Sequence, residues 1–315
     1  MKNIEKRGGV IETEQEWKAG VLRNAMLRNQ PDFEDFRGKP GFSRGMLESD
    51  ERELNAKMAR IEQDDVDKAR GDRYAGDAEP VITYALNGET FLQTRDNFAY
   101  LASEFDDKMN GVDVVFGVEK KDHSGDMVFA VDVATGTGAR SVREKFRRHA
   151  ENDWMTEVRY CVHDGNRWSE QNAPHFVLGM MPANIDRALD KIQITDETIA
   201  READPKTDFM LTSELYEQIE MELADVDGKY NDEIELDQVA KLKDLRGAVK
   251  ARLYKICQVK GETKDERAKD FKLKYPRAIR EVQGDLVYRN IVTEARERRE
   301  RYNERRRGQI ALEVI

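Results

Sequence analysis

The spacing of hydrophobic positions divides the chain into three parts, residues 1–80, 81–195 and 205–315. Residues 1–80 are mostly polar, and their few hydrophobic residues recur at helical spacing, which predicts helices over 12–30 and 49–69 in a partly flexible arm. In residues 205–315 hydrophobic residues recur every three or four positions, which predicts a helical appendage or coiled coil. The β-branched runs typical of strands lie in the middle part, so we expect the folded core there.

The middle part alternates between predicted strands and helices. Asn87-Gly88 between two hydrophobic runs is a strong hairpin signal. An eight-residue polar turn joins the runs at 112–118 and 127–134, which is too short for a crossover and predicts antiparallel pairing. The full prediction is a hairpin of 81–86 with 90–93, a helix over 96–109, strands at 112–118 and 127–134, a helix over 141–149, strands at 157–163 and 175–180, and a helix from Asn184.

Composition narrows the class of protein. The chain of 315 residues carries 63 acidic and 53 basic residues, for a net charge of −10, and 39% of it is hydrophobic. This charge argues against general coating of nucleic acid but not against a local basic groove. No stretch approaches the roughly 18 apolar residues of a membrane helix, and the N-terminus has no apolar signal run, so we expect a cytoplasmic protein with no membrane partner. Two cysteines are too few for a disulfide framework.

Two aspartates stand near the ends of adjacent hydrophobic runs. Asp113 is early in the run at 112–118, and Asp132 is late in the run at 127–134. In an antiparallel pair the start of one strand lies beside the end of its partner, so we expect the two carboxylates to converge. Ionised carboxylates are costly to bury without a counter-charge, and Mg²⁺ or Mn²⁺ prefers such oxygen ligands. The alternative is that each aspartate only caps a strand end or binds a loop amide.

A glycine-spaced turn follows the second aspartate and offers a different function. The segment AVDVATGTGAR, residues 130–140, resembles the first motif of S-adenosylmethionine-dependent methyltransferases, in which glycines let the backbone approach the cofactor. That fold needs a parallel sheet of seven strands, with five or more after the motif, whereas two strands are predicted here after residue 140. The methyltransferase therefore stays an alternative.

The middle part also resembles a nuclease superfamily. The segments FDDKMNGVDVVFGV, MVFAVDVATGTGARSVREKFRR and HFVLGMMPANIDRALDKI resemble an uncharacterised bacterial family with a PD-(D/E)XK core, over about residues 95–194. The resemblance implies hydrolysis of phosphodiester bonds with Mg²⁺ or Mn²⁺ as cofactor. It also implies an α+β fold, with a mixed sheet core of restriction-endonuclease-like type and α-helical N- and C-terminal extensions.

The resemblance assigns the metal-binding acids. Asp113 matches the first motif acid, and Asp132 matches the second, so both are candidate metal ligands and catalytic residues. Glu104 matches the acid that the first helix sometimes supplies. Asp107 is a rival for that place.

The superfamily's lysine is displaced in this chain. The pattern places lysine two residues after the second acid, where this sequence has Ala134. Some members supply the lysine from the following helix, which makes Lys145 in SVREKF the candidate catalytic lysine. An ordinary solvated helix lysine also fits this spacing. The resemblance therefore leaves two functions open besides the methyltransferase. One is a metal-dependent nuclease, and the other is a non-catalytic scaffold that binds protein or nucleic acid.

The last predicted helix is rich in arginine. Between Arg289 and Arg307 it carries eight arginines against four glutamates. Such a stripe can contact phosphate, so we expect DNA or RNA along this helix and in the core cleft, whereas i,i+4 ion pairs are the alternative explanation. The C-terminal helices also offer a surface for a homodimer or a protein partner.

Overall fold

The computed structural model describes residues 4–5, 11–65, 75–87, 91–92, 96–120, 125–135, 139–195, 198–201, 204–226, 233–256, 282 and 284–313. Within these residues a five-stranded mixed sheet is flanked by helices from both ends of the chain. The predicted α+β fold with a mixed sheet is confirmed at this level.

The N-terminal elements precede the central sheet. They are β1 (Ile4–Glu5), β2 (Ile11–Glu12), α1 (Glu14–Leu27), α2 (Phe33–Phe36), α3 (Arg44–Asp65) and α4 (Ala75–Leu86). The two short strands pair antiparallel with each other. Helix α1 begins at a capping box, in which Thr13 and Glu16 each accept the other's backbone N–H.

The predicted hairpin is wrong, because residues 81–86 belong to helix α4. Its other strand, 90–93, lies largely outside the described residues. The buried side chains of α4 recur at helical spacing in the main hydrophobic core: Val81, Ile82, Ala85 and Leu86. A short apolar run fits a strand or a helix, and packing against α1 and β3 favours the helix here.

The central sheet has the strand order β3-β4-β5-β7-β6. Its strands are β3 (Asn97–Leu101), β4 (Val114–Glu119), β5 (Asp126–Ala134), β6 (Met155–His163) and β7 (Asn166–Gly179). Neighbouring strands are antiparallel except β5 and β7, which run parallel. Helix α5 (Ala139–Glu151) lies between β5 and the β6–β7 hairpin along the chain. The predicted antiparallel pairing of 112–118 with 127–134 is confirmed by the register that joins Val114 to Val131.

The predicted helix over 96–109 is wrong in its first half, which forms strand β3. Side chains of this strand alternate between two hydrophobic clusters, with Phe98 and Tyr100 in one and Ala99 and Leu101 in the main core. Burial on both faces suits the two-residue period of a strand. The second half contains a π-helix, Asp106–Asn110. Gly111 follows it with a φ of 70°, which is typical of a glycine that ends a helix.

A buried carboxylate fixes the π-helix against the edge of the sheet. Asp106 accepts four hydrogen bonds: from Ser103 Oγ at 2.8 Å, Asn110 Nδ2 at 2.9 Å, the N–H of Arg159 at 2.8 Å and the N–H of Tyr160 at 3.1 Å. The last two donors belong to β6, which is irregularly paired with β7 at that point. One side chain thus holds the π-helix, its own loop and β6 together.

The C-terminal elements are mainly helical. They are α6 (Pro182–Asp190), β8 (Ile192–Ile194), β9 (Ile199–Arg201), α7 (Pro205–Val226), α8 (Glu233–Ile256) and α9 (Leu286–Glu313). Of the part 205–315 that was predicted to be helical, the described residues form α7, α8 and α9. The main hydrophobic core includes Leu22 of α1, Phe129 of β5 and Leu245 of α8, so it takes residues from all three parts of the chain. None of the described helices is long and apolar enough to cross a bilayer.

Candidate functional site

Asp113 and Asp132 meet where β4 begins and β5 ends. The N–H of Asp113 donates to the carbonyl of Val131 at 2.9 Å, and its Oδ2 accepts the N–H of Val133 at 2.6 Å. Asp113 is therefore hydrogen-bonded to the backbone of both residues that flank Asp132. The cause is the register of the two strands, because the pairing of Val114 with Val131 brings the residue before β4 beside the end of β5.

Helix α5 surrounds the carboxylate of Asp132 with basic side chains. Asp132 is 3% exposed, and its Oδ1 forms an ion pair with Lys145 Nζ. Its Oδ2 lies 3.2 Å from Arg148 and 3.3 Å from His149 Nε2. Spacings of three and four residues place these three side chains on one face of α5. The sequence-predicted Lys145 is thus at the site, whereas Arg148 and His149 were not predicted.

The surroundings shift the pKa values of the two aspartates in opposite directions. Burial alone would raise the pKa of Asp132, but the hydrogen bond from His149 and the charge of Lys145 hold that pKa below its ordinary value. Burial and the charge of Asp132 raise the pKa of Asp113 well above its ordinary value. The repulsion between the two carboxylates therefore shows in the raised pKa of Asp113, which has fewer basic partners than Asp132.

Helix α4 carries an acid, Glu79, whose charge acts on Asp113 and which the sequence prediction missed. Burial raises the pKa of Glu79, followed by the charge of Asp107, and Lys145 acts in the opposite direction. Glu79 in turn contributes to the raised pKa of Asp113, so the three groups share one electrostatic environment. The sequence prediction began a hairpin strand at residue 81 and therefore left Glu79 in the preceding loop. Recognition of the helical spacing in α4 would have placed it on a helix beside the sheet.

The other two predicted acids have different surroundings. Glu104 is exposed, and no described hydrogen bond or ion pair joins it to Asp113 or Asp132. Asp107 pairs with its neighbour Lys108 at 2.6 Å, and its charge raises the pKa of Glu79. Of the predicted acids, the described geometry brings together Asp113 and Asp132.

A pair of buried histidines supports the site from behind. His149 stacks on His175 of β7 with ring centroids 3.8 Å apart and planes 18° apart. Burial, then the nearby His149, lowers the pKa of His175 well below its ordinary value, which favours the neutral ring. His149 Nδ1 and His175 Nε2 are buried without a hydrogen-bond partner among the described residues. The stack therefore restrains the ring that contacts Asp132 by packing.

The donor atoms at this site are of the kind that a hard divalent cation requires. Asp113 and Asp132 offer carboxylate oxygens. Burial and the charge of Asp132 raise the pKa of Asp113, and a cation bound there would offset both effects. Across the part of the chain that the structure describes, no three acidic, histidine or cysteine side chains form a ready-made metal cluster. Mg²⁺ is commonly held by one or two carboxylates together with water and substrate phosphates. The residues present fit that more open mode of binding.

The other sequence-predicted features lie outside this geometry. The turn Gly136–Gly138 of the methyltransferase-like motif is outside the described residues. The arginine-rich stretch is part of α9, which packs against α5 and α7. Among the protein-family models, curated proteins and solved structures compared with this chain, none matches it.

Proposed function

We propose that this protein is a metal-dependent nucleic-acid phosphodiesterase of the PD-(D/E)XK type. The observation that carries the proposal is the meeting of Asp113, Asp132 and Lys145 at one end of the antiparallel pair β4–β5. The order helix α4, three antiparallel strands, helix α5 and a strand parallel to β5 agrees with the restriction-endonuclease-like core that the resemblance implies. The β5 neighbours include one antiparallel strand, which favours this fold over the parallel sheet of a methyltransferase.

Each residue has a definite part in the proposed reaction. Asp113 and Asp132 would hold Mg²⁺ or Mn²⁺, with Glu79 as the acid from the first helix. The ion would supply an activated water and neutralise charge on the phosphate. Lys145 is 20% exposed and ends at the carboxylate of Asp132, so its ammonium group can stabilise negative charge that develops on a phosphate bound there. His149 acts on Asp132 and not on the substrate, so it is a positioning residue.

The test is cleavage of DNA and RNA by the purified protein in Mn²⁺. We expect Asp132→Asn and Lys145→Met each to lower the rate by about 10²-fold or more, because each removes charge from the reacting centre. Arg147→Gln is the matched control, because Arg147 lies on the same helix, is exposed and pairs with Glu144 and Glu151 instead of Asp132. Cleavage that persists at the wild-type rate in Asp132→Asn would identify a contaminating nuclease and end the proposal.

A second candidate function is a non-catalytic scaffold on the same fold. The observation in its favour is that both oxygens of Asp132 already have basic partners, Lys145 on one side and Arg148 and His149 on the other. An ion-pair cluster of this kind is complete without a metal. Thermal unfolding in increasing Mn²⁺ separates the two functions, since an ion that binds only the folded state raises the melting temperature with concentration. No shift together with no cleavage would favour the scaffold.

A further inference from the structure

Positive charge is concentrated on two helices of an acidic protein. The chain as a whole has a net charge of −10. Helix α5 nevertheless carries five Lys and Arg residues against two Glu, and α9 carries eight Arg against five Glu. The two helices pack against each other. Both helices therefore bring an excess of basic residues to the region where they meet.

Some of these arginines form ion pairs within the fold. Glu217 of α7 is 8% exposed and pairs with Arg296 and with Arg299 at 3.4 Å. Arg298 pairs with Glu294 at 2.8 Å, is 17% exposed, and lies over the ring of Phe146 with its Cζ 5.8 Å from the centroid. These arginines hold α9 against α7 and α5, so they are not available to a partner.

The carboxylate of Glu294 has more cations around it than it can neutralise. Besides Arg298, it faces Arg143 of α5 at 3.5 Å and Arg301 of α9 at 3.7 Å. The side chains of Arg143 and Arg301 are 67% and 52% exposed. Three guanidinium groups against one carboxylate leave a surplus of two positive charges. The surplus lies on the two exposed arginines, whose long contacts to Glu294 are weak in solvent.

One of these two arginines, Arg143, lies on the helix that supplies Lys145 to the candidate site. Arg143 is five residues before Arg148, or about 7.5 Å along the axis of α5. Arg148 is 51% exposed and contacts Asp132, where it and Lys145 again outnumber the single carboxylate that they touch. Five residues also turn Arg143 about 140° away from Arg148 around the helix axis. Exposed basic side chains therefore flank α5, with Arg148 towards the site and Arg143 towards α9.

We propose that Arg143 and Arg301 form a phosphate-binding face where α5 meets α9, and that this face holds the backbone of a nucleic acid whose strand continues around α5 to the Asp113–Asp132 site. The inference rests on the proposed function for its choice of polyanion, because a strand whose phosphate reaches Lys145 must continue past α5. Arginine binds phosphate through its planar fork of donors, and side chains that are exposed and incompletely neutralised can turn towards it without unpacking the fold. The face contacts phosphates and reads no bases, so binding is independent of sequence and strongly dependent on salt.

The test measures binding and not cleavage. Fluorescence anisotropy of a labelled DNA duplex and a labelled single strand is followed in a chelator, over a series of salt concentrations. We expect the Arg143→Gln, Arg301→Gln double variant to bind at least about tenfold more weakly at low salt, and to reduce the slope of log affinity against log salt by about two. Each single variant should reduce the slope by about one. The corresponding Lys double variant keeps both charges and should keep the slope.

The control double variant is Arg37→Gln, Arg44→Gln, which instead removes two exposed arginines, one just after α2 and one at the start of α3. Glu294 keeps Arg298 in the test variant, so we expect both double variants to fold, and circular dichroism checks this. An unchanged slope in the single variants, an equal loss in the control, or binding to phosphatidylserine vesicles but not to DNA would overturn the proposal. Because the chelator removes cleavage from the assay, this face can stand if the nuclease fails, and the nuclease can stand if this face fails.

Discussion

Asp113 and Asp132 lie side by side, yet their surroundings treat their charges differently. Asp132 is held between Lys145, Arg148 and His149. Asp113 accepts one backbone N–H and faces the charge of its neighbour. Two like charges on adjacent strands would by themselves make either aspartate a burden on the fold. The basic side chains of α5 stabilise the charge of Asp132, whereas the charge of Asp113 stays unfavourable.

The two aspartates should therefore respond differently to removal of their charge. We expect Asp132→Asn to lower the free energy of unfolding at neutral pH by about 2 kcal/mol, because it leaves Lys145 and Arg148 without their buried carboxylate. Asp113→Asn should leave it unchanged or raise it, because the amide oxygen can still accept the N–H of Val133 while the repulsion disappears. Urea unfolding of both variants in a chelator measures the difference. The reverse order of stabilities would contradict this account of the site.

At this scale the sequence predicts the paired aspartates better than it predicts their neighbours. Asp113 and Asp132 follow from strand alternation and a short polar turn, which are local features. Lys145 follows from the resemblance. Glu79 approaches the site because α4 packs on the sheet, and His149 and His175 stack because α5 and β7 meet. Contacts of that kind depend on tertiary packing, which single-chain periodicity does not contain.

Helix α7 carries two buried glutamates that have little to neutralise them. Glu214 accepts the N–H of Gly179 at 3.1 Å, and both side-chain oxygens of Glu222 lack a partner among the described residues. Burial raises the pKa of both carboxyls well above the ordinary value. We infer that Glu222 folds in its neutral form, since an ionised carboxylate there would have no compensation.

The buried carboxyl of Glu222 predicts how the stability of the protein depends on pH. The folded pKa of Glu222 is raised, so the folded state binds more protons than the unfolded state, and stability falls as pH rises above about 4.3, the ordinary value for glutamate. Glu222→Gln removes this ionisation, so we expect the variant to gain on the wild type as pH increases. Melting temperatures across the pH range measure the effect, with the exposed Glu51→Gln on α3 as control. Parallel curves for Glu222→Gln and wild type would rule out a neutral buried carboxyl.

Two glycines test how closely the elements pack. A Cβ on Gly179 of β7 would lie 2.1 Å from the carbonyl oxygen of Ala134 on the neighbouring strand, so Gly179→Ala should cost about 3 kcal/mol of stability. A Cβ on Gly247 of α8 meets nothing within 4 Å, so Gly247→Ala should add about 0.5–1 kcal/mol through helix propensity. Urea unfolding of the two variants checks both signs. Equal effects would contradict the close approach of β7 to β5.

At the scale of elements, the sequence pattern predicts α5, β4 and β5 but fails for two short elements, α4 and β3. Helix α5 has a clear basic and hydrophobic pattern, and the structure has it close to the predicted range. Helix α4 and strand β3 are short and buried on more than one side, so their sequences resemble either type of element. Each was assigned to the other's class.

For the whole molecule, the main hydrophobic core crosses the boundaries drawn at residues 80 and 205. Leu22 of α1 and Leu245 of α8 belong to the same cluster as the sheet. We therefore expect one cooperative unfolding transition. Leu22→Ala and Leu245→Ala should each move that same transition, by about 3 kcal/mol, because both side chains are fully buried. Calorimetry distinguishes this from separate domains, in which each variant would shift a transition of its own.

The carboxylate of Asp106 has a consequence beyond the π-helix that it holds. Strand β6 is at the edge of the sheet, where unpaired N–H groups can recruit a strand from another molecule. Asp106 accepts two such groups, those of Arg159 and Tyr160. At the opposite edge, Asn87 accepts the N–H of Ala99 on β3. Side chains from neighbouring segments thus take the place of a further strand at both edges, which protects the chain against the edge-to-edge addition that begins many aggregates.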